Sequence, residues 1–220
     1  MKKRNNFKQK PYLIGITGSF GSGKSLVGDI LYKSGVLVID SDDIVREILS
    51  KRTPIVKKII HEFGACVINV NPRSYINKKV LSSIVFKNDL KRKKLESIIH
   101  PEVVRQIKKD ILANKKKAIV AVLLPLLFEA KLENLFYEIW CVTCRQNVRL
   151  NRLKRKGFLL EDIKVRIKAQ IPQKKKAILS DYVIDNSGSC SRTKRQVFNR
   201  LSKLKLVVQS SRNPHPFGDK

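Results

Sequence analysis

Long apolar segments and cysteines are both scarce in this sequence of 220 residues. The longest apolar run, residues 118–128, is too short to span a bilayer and contains Pro125. We expect no cleavable signal in the basic N-terminus, and the alternative is an organelle presequence. The four cysteines do not indicate a disulfide scaffold. We therefore expect a soluble cytoplasmic protein in a reducing compartment, without a membrane partner.

Cys141 and Cys144 form a single Cys-x-x-Cys pair. A zinc site needs four ligands, and neither a second pair nor a nearby histidine accompanies these two cysteines. We interpret them as small apolar residues at the end of a buried strand.

Acidic residues are few. The chain has 47 lysines and arginines against 18 aspartates and glutamates, which gives a formal net charge of +29. Such an excess is typical of nucleic-acid-binding proteins. Here the basic residues are dispersed along the chain and no aromatic-rich basic face accompanies them, which favours a solvated surface. A positive field also suits a small polyanionic substrate, and we do not expect nucleic acid as a partner.

One glycine-rich segment carries a clear functional pattern. The apolar residues 12–16 lead into Gly18-x-x-x-x-Gly23-Lys24-Ser25, the spacing of a phosphate-binding P-loop. Glycines allow successive N–H groups to turn inward around a phosphate, and the helix predicted at 24–33 adds its positive dipole end. Lys24 can reach the β- and γ-phosphates, and the Ser25 hydroxyl can bind Mg²⁺. The segment predicts a nucleoside triphosphate site; the alternative is a glycine-rich turn without a ligand.

Carboxylates follow the second predicted strand. The apolar run 36–39 is typical of a strand buried in a parallel sheet, and Asp40, Asp42 and Asp43 come directly after it. Open α/β sheets bind ligands at the carboxyl ends of their strands, which favours a functional role for this group. The alternative is that Asp42 and Asp43 only cap the next helix, predicted at 44–51.

Strands and helices alternate along the rest of the chain. We predict further strands at 118–123, 138–143 and 181–185, and later helices at 173–179 and 191–204. This order predicts an α/β fold of the P-loop NTPase type, a parallel five-stranded sheet with helices on both faces.

Two insertions are predicted in that core. Residues 54–114 have apolar residues at helical spacing and predict a helical subdomain, interrupted at His100-Pro101, where Pro101 would begin a new helix. Residues 147–170 predict two basic helices, whose arginines can close over phosphates as a lid. The boundaries that we expect are a disordered basic lead-in at 1–11, a single kinase domain at 12–207 and a disordered tail at 208–220.

Six motifs follow one another over most of the chain. They are GITGSFGSGKS at 15–25, VIDSDDIVR at 38–46, LESIIHP at 95–101, PLLFE at 125–129, RIKAQIP at 166–172 and VIDNSGS at 183–189. Together they closely resemble the dephospho-CoA kinase family. The P-loop occurs in many nucleotide-binding families, whereas the acidic segment, the His-Pro pair and PLLFE in this order are far more specific.

The resemblance implies an enzyme, a phosphotransferase with an alcohol group as acceptor. Its reaction would be transfer of the ATP γ-phosphoryl group to the ribose 3′-hydroxyl of dephospho-CoA, the last step of coenzyme A synthesis. The implied cofactor is Mg²⁺, and the implied partners are ATP and dephospho-CoA. We expect the chain to act as a monomer or weak oligomer.

The resemblance also implies roles for individual residues. Asp42 matches the proposed base for the 3′-hydroxyl, while Asp40 and Ser25 are expected at the metal. Lys24 and the lid residues Arg152 or Arg155 are expected to act in catalysis. The implied ATP-binding residues are Ser19, Phe20, Gly21, Ser22, Gly23, Lys24, Ser25, Leu26, Gln170 and Asn186. The implied acceptor-binding residues are Asp40, Asp42, Arg46, Lys78, His100 and Glu129.

Some positions depart from the family pattern, although none removes a reacting group. Lys78 stands where an arginine is usual, and the spacing from Arg152 to Arg155 is one residue short. Ser19-Phe20 replaces a common Gly-Ile, where we do not expect the side chain to be critical. The alternatives are another small-molecule P-loop kinase, of the nucleotide or shikimate type, and a basic nucleic-acid-binding NTPase.

Overall fold

A five-stranded parallel sheet forms the centre of the computed structural model, which describes residues 11–69, 75–86 and 88–212. Its strands are β1 (Tyr12–Thr17), β2 (Leu37–Asp40), β3 (Ile119–Leu123), β4 (Glu138–Thr143) and β5 (Tyr182–Asp185). Their order across the sheet is β2-β3-β1-β4-β5, so β1 lies between β3 and β4. The fold class predicted from the sequence is confirmed.

Apolar side chains on both faces explain why β1 and β3 lie inside the sheet. Every residue of β3 is buried, and Ile14 and Ile16 of β1 are fully shielded from solvent. Parallel strands end at one edge of a sheet, and here Thr17 pairs with Cys141 while Thr143 pairs with Asp185. The loops that follow β1, β4 and β5 therefore meet at that edge.

Helices connect the strands. In chain order they are α1 (Lys24–Lys33), α2 (Ser41–Ser50), α3 (Pro54–Phe63), α4 (Lys78–Phe86), α5 (Asp89–Ala113), α6 (Gln146–Arg155), α7 (Leu160–Lys168), α8 (Gln173–Leu179) and α9 (Cys190–Arg212). Short 3₁₀ turns lie at Ala65–Val67 and Glu133–Leu135. In the part of the chain that the structure describes, no helix is both long and apolar enough to cross a membrane.

The chain divides into two compact units. The first runs up to Ile39 and resumes at Ala113; it holds the sheet, α1 and α6 to α9. The second is Asp40–Leu112, with α2 to α4 and nearly all of α5. The helical insertion predicted at 54–114 overlaps this unit, which begins earlier, at Asp40.

The predicted break in the helix at His100-Pro101 is wrong. Helix α5 continues through Pro101, whereas the sequence predicted an interruption at His100-Pro101. Proline inside a helix removes a hydrogen bond and costs about 3 kcal/mol. Ile99, Val103 and Ile107 are buried along one side of α5, and their packing on both sides of the proline keeps the helix continuous.

The predicted end of helix α9 is also wrong. The helix extends to Arg212, beyond the predicted helix end at residue 204 and into the predicted tail. Leu204 and Val208 are buried in the core that also contains Ile30 of α1, and this apolar spacing continues the helix. Pro11, assigned to the lead-in, is buried. The remainder of the lead-in, 1–10, and of the tail, 213–220, lies outside the described residues.

Candidate active site

The turn between β1 and α1 has the backbone of a phosphate cradle. Gly18, Gly21 and Gly23 have φ angles of 152°, 76° and 99°, which side chains other than glycine rarely adopt. A Cβ at Gly23 would also collide with the side-chain amide of Asn186. Ser19 and Ser22 are buried in this turn, while Leu26 is half-buried on the first turn of α1.

Positive groups surround the cradle. The N-cap of α1 is Gly23, which offers no side chain to the first amides, and the first turn of α1 contains no acidic residue. Its N–H groups and dipole are therefore available to an anion. The Lys24 ammonium donates hydrogen bonds to the carbonyls of Gly18 (3.0 Å) and Ser19 (3.4 Å). Ser25 is exposed at the start of the helix, and its role as a metal ligand stays a prediction.

Asn186, predicted to lie near the nucleotide, supports the cradle. Its amide nitrogen donates to the carbonyl of Ser22 at 2.8 Å, and its amide oxygen accepts from the Thr193 hydroxyl at 2.9 Å. The side chain is buried. Asn186 therefore joins the loop after β5 to the phosphate turn and fixes their separation.

Gln170 and Glu129 form a second support. The Gln170 side-chain oxygen accepts from the Phe20 N–H at 2.8 Å, which places Gln170 on the phosphate turn. One Glu129 oxygen accepts from the Ile171 N–H at 2.8 Å and pairs with the Lys176 ammonium at 2.9 Å. Glu129 thus holds the segment that follows Gln170; its predicted contact with the acceptor stays a prediction.

Lys176 supports the segment that follows Gln170, and its burial was not predicted from the sequence. It is fully buried and donates to the carbonyl of Pro125 at 2.6 Å, in addition to its ion pair with Glu129. From the sequence we expected the dispersed basic residues, Lys176 among them, to lie on a solvated surface. The available signal was Glu129, a carboxylate directly after a long apolar segment, because a buried charge needs a partner.

The arginines of α6 differ in their surroundings. The Arg152 guanidinium donates to the carbonyls of Asn186 (2.8 Å) and Gly188 (3.4 Å), so it is held by the loop after β5. Arg155 is exposed at the end of the helix. Arg149, one of the arginines of the predicted lid, is instead buried near Cys144, and burial lowers its pKa. Its Nε and Nη1 atoms have no hydrogen-bond partner among the described residues.

The predicted catalytic carboxylates lie in the second unit. Asp40 is the N-cap of α2 and accepts from the Asp42 N–H at 2.9 Å, so the capping role belongs to Asp40. Asp42 is exposed in the first turn. Its neighbour Asp43 forms an exposed ion pair with Arg46 at 2.6 Å. The role of Asp42 as a base stays a prediction.

The acceptor-site cations predicted in this unit lie near each other. The pKa of Lys78 is lowered, first by burial and then by the positive charge of Arg46. Two neighbouring cations of this kind suit a substrate with several phosphate oxygens. His100 is half-buried, and burial lowers its pKa, which favours the neutral imidazole at neutral pH.

The sheet order, the glycine turn and the lysine at the start of α1 define an α/β protein of the P-loop nucleotide-binding class. Among the described residues no group of three or more His, Cys, Asp or Glu side chains is arranged to hold a metal ion.

Comparisons with known proteins identify the family within this class. The family model for dephospho-CoA kinase matches residues 12–192. The dephospho-CoA kinase of Carboxydothermus hydrogenoformans is 41% identical over 88% of this chain and 94% of its own. That of Shouchella clausii is 35% identical over 86% of this chain and 97% of its own. The solved dephospho-CoA kinase of Campylobacter jejuni is 27% identical, with a TM-score of 0.64 over 89% of this chain and 98% of its own.

The chain belongs to the dephospho-CoA kinase family, whose members catalyse the final step of coenzyme A biosynthesis.

Proposed function

We propose that this chain transfers the γ-phosphoryl group of ATP to the ribose 3′-hydroxyl of dephospho-CoA, with Mg²⁺ as the cofactor. The observation that carries the proposal is the family match over residues 12–192, which includes the complete phosphate turn with Lys24 and Ser25. Phosphoryl transfer depends mainly on positioning and on neutralising charge, and the cradle supplies both.

The donor side follows from the first unit. The amides of the turn and of the first turn of α1 bind the phosphate oxygens. The Lys24 ammonium exchanges its bonds to the loop carbonyls for stronger ones to the β- and γ-phosphates. The Ser25 hydroxyl, exposed at the helix start, would hold Mg²⁺ together with Asp40, and the ion would neutralise phosphate charge.

The acceptor side uses residues of the second unit. Asp42 takes the proton of the 3′-hydroxyl as the attack begins, which its exposed carboxylate permits. Arg46 and Lys78 bind acceptor phosphates, and neutral His100 offers one donor and one acceptor to the substrate. The resemblance also implies a contact of Glu129 with the acceptor; in the structure Glu129 bonds to the Ile171 N–H and to Lys176.

Arg155 is the better candidate for the lid cation that meets the transferred phosphoryl group. It is exposed, whereas Arg152 is bonded to two backbone carbonyls. Arg152 then acts by holding the loop that carries Asn186. Loss of Arg155 should therefore lower turnover, while loss of Arg152 should weaken ATP binding.

The test is a comparison of acceptors with the purified chain. Initial rates of ADP formation are measured with dephospho-CoA, AMP and shikimate, each with and without Mg²⁺. We expect kcat/KM to be highest for dephospho-CoA by orders of magnitude, and the reaction to require the metal. A higher kcat/KM for AMP or shikimate would assign the chain to another small-molecule kinase class.

A further inference from the structure

The side chain of Phe20 joins the phosphate turn to the lid hairpin, the two helices α6 and α7 with the turn between them, residues 146–168. Its ring meets that of Phe158 edge-on, with centroids 5.2 Å apart and planes at 88°. The Arg166 guanidinium lies 5.1 Å from the Phe20 centroid and 5.6 Å from that of Phe158. One cation therefore contacts an aromatic ring from each of the two segments.

The backbone around Phe20 makes further contacts with the lid region. Its N–H donates to Gln170, just beyond α7, at 2.8 Å. Next to it, Gly21 approaches α6 so closely that an added Cβ would lie 2.7 Å from a methyl group of Leu153. Residues 20 and 21 thus contact the first helix of the hairpin, its connecting turn and the segment beyond its second helix.

An aromatic ring is required for part of this arrangement. A ring carries negative charge density on its faces and positive charge at its edge, so it attracts a cation to its face and accepts another ring edge-on. An aliphatic residue of similar size fills the space but offers neither interaction. From the sequence we did not expect the Phe20 side chain to be critical, and no local pattern pointed to its contacts with Phe158 and Arg166.

We propose that Phe20 is a positioning residue that couples the phosphate turn to the lid hairpin and holds Arg166 beside the turn. This inference rests on the proposed kinase function. The ring keeps the hairpin ordered before ATP binds. The loss of conformational entropy on ATP binding is therefore smaller, and the affinity for ATP is higher. The side chain acts through Arg166 and the hairpin rather than on the reacting atoms.

The first variant is Phe20→Leu, which removes the ring and keeps an apolar side chain. We expect faster amide hydrogen exchange in α7 of the nucleotide-free protein, with unchanged exchange in β3 and β4. We expect the KM for ATP to rise about tenfold, the combined size of one aromatic pair and one cation–π contact. The KM for dephospho-CoA should not change.

Two controls separate positioning from general destabilisation. Phe198→Leu makes the same substitution on α9, where the Lys194 ammonium lies 5.4 Å from the centroid of the Phe198 ring. This variant should leave hydrogen exchange in α7 and the KM for ATP unchanged. Phe20→Tyr keeps the ring and should retain wild-type values of both. Phe158→Leu should raise the KM for ATP, and combining it with Phe20→Leu should add less than the two separate effects.

Wild-type exchange in α7 and a wild-type KM for ATP in Phe20→Leu would overturn the inference. So would equal increases in KM for Phe20→Leu and Phe20→Tyr. Failure of the proposed function looks different: the wild-type chain would then not phosphorylate dephospho-CoA. The exchange measurement, made with and without ATP, would still decide whether Phe20 couples turn and lid.

Discussion

A single missing Cβ shapes the phosphate turn. Gly23 has a positive φ of 99°, and the space where its side chain would stand is filled by the amide of Asn186. The Asn186 amide also donates to the Ser22 carbonyl. The asparagine and the lack of a side chain at Gly23 therefore both fix the backbone conformation of residues 22–23. The turn is consequently preformed before any phosphate arrives.

Alanine at Gly23 should therefore destroy nucleotide binding, whereas alanine at Gly35 should not. Gly35 also has a positive φ, 81°, but an added Cβ there meets nothing within 4 Å. Backbone strain alone costs about 1–2 kcal/mol, and we expect this loss for Gly35→Ala in urea unfolding. Gly23→Ala adds the collision with Asn186 and should also abolish the rise in melting temperature with ATP. Normal ATP stabilisation of Gly23→Ala would contradict a preformed cradle.

Asp42→Asn tests the proposed base. The amide keeps the size of the side chain but does not take up the proton, so we expect turnover to fall by roughly 10²–10⁴-fold. Calorimetric ATP binding should be unchanged. Asp43→Asn is the matched control, because that neighbouring carboxylate forms an ion pair with Arg46. Equal turnover in Asp42→Asn and the wild type would remove Asp42 from its role.

At this scale the sequence predicted local patterns well and long-range partners poorly. The Gly-x-x-x-x-Gly-Lys-Ser spacing sufficed to predict the turn and the place of Lys24, because neighbours in the chain determine it. The pairing of Glu129 with Lys176 depends on how α8 packs against the sheet, which no local spacing encodes. The contact of Phe20 with Phe158 and Arg166 was missed for the same reason.

Helix α8 anchors the end of the lid region through its buried lysine. The Lys176 ammonium bonds to both Glu129 and the Pro125 carbonyl, and Glu129 also receives the Ile171 N–H. These bonds connect the loop after β3 with the segment between α7 and α8. Helix α8 therefore fixes the position of the segment that follows the lid hairpin.

Lys176→Met should destabilise the chain strongly. Removing one partner of a buried ion pair leaves the other charge uncompensated, at a cost of about 3–5 kcal/mol in the free energy of unfolding. The double variant Lys176→Met with Glu129→Gln should recover part of that loss, since the uncompensated charge is gone. Urea unfolding of the three proteins measures both effects. A loss below about 1 kcal/mol for Lys176→Met would show that the ion pair does not anchor the lid region.

Elements were predicted with different success. Strand β4 and helix α8 have the predicted bounds, because a continuous apolar run and a proline-flanked helical pattern mark their ends. Helix α5 was predicted as two helices, since local propensity at Pro101 was weighted above burial of Ile99 and Val103 on both sides of it. The length of α9 was underestimated because Val208 is buried against other parts of the core, which the basic residues around it obscured.

Charge is the property of the whole molecule that the sequence alone left open. A net charge of +29 gives a positive field that attracts polyanions in general, including ATP and dephospho-CoA. Dispersed surface charge acts over distance and is screened by salt, whereas the cradle acts at contact. The two contributions can therefore be separated by ionic strength.

Raising the salt concentration should raise the KM for both substrates moderately and leave kcat nearly unchanged, because screening weakens steering but not the bonds made in the transition state. Steady-state kinetics over a series of KCl concentrations measures this. RNA or DNA should not stimulate ATP hydrolysis. Nucleic-acid-stimulated hydrolysis with a steep salt dependence would favour a nucleic-acid-binding NTPase.

The position of the phosphate in the product tests the proposed reaction most directly. The purified chain is incubated with ATP, Mg²⁺ and dephospho-CoA, and the reaction is followed by phosphorus NMR and mass spectrometry. We predict a new phosphomonoester on the ribose 3′-hydroxyl, formed in equal amount to ADP and absent with Lys24→Ala. ATP consumption without that phosphomonoester, or a phosphate at another position, would contradict the account.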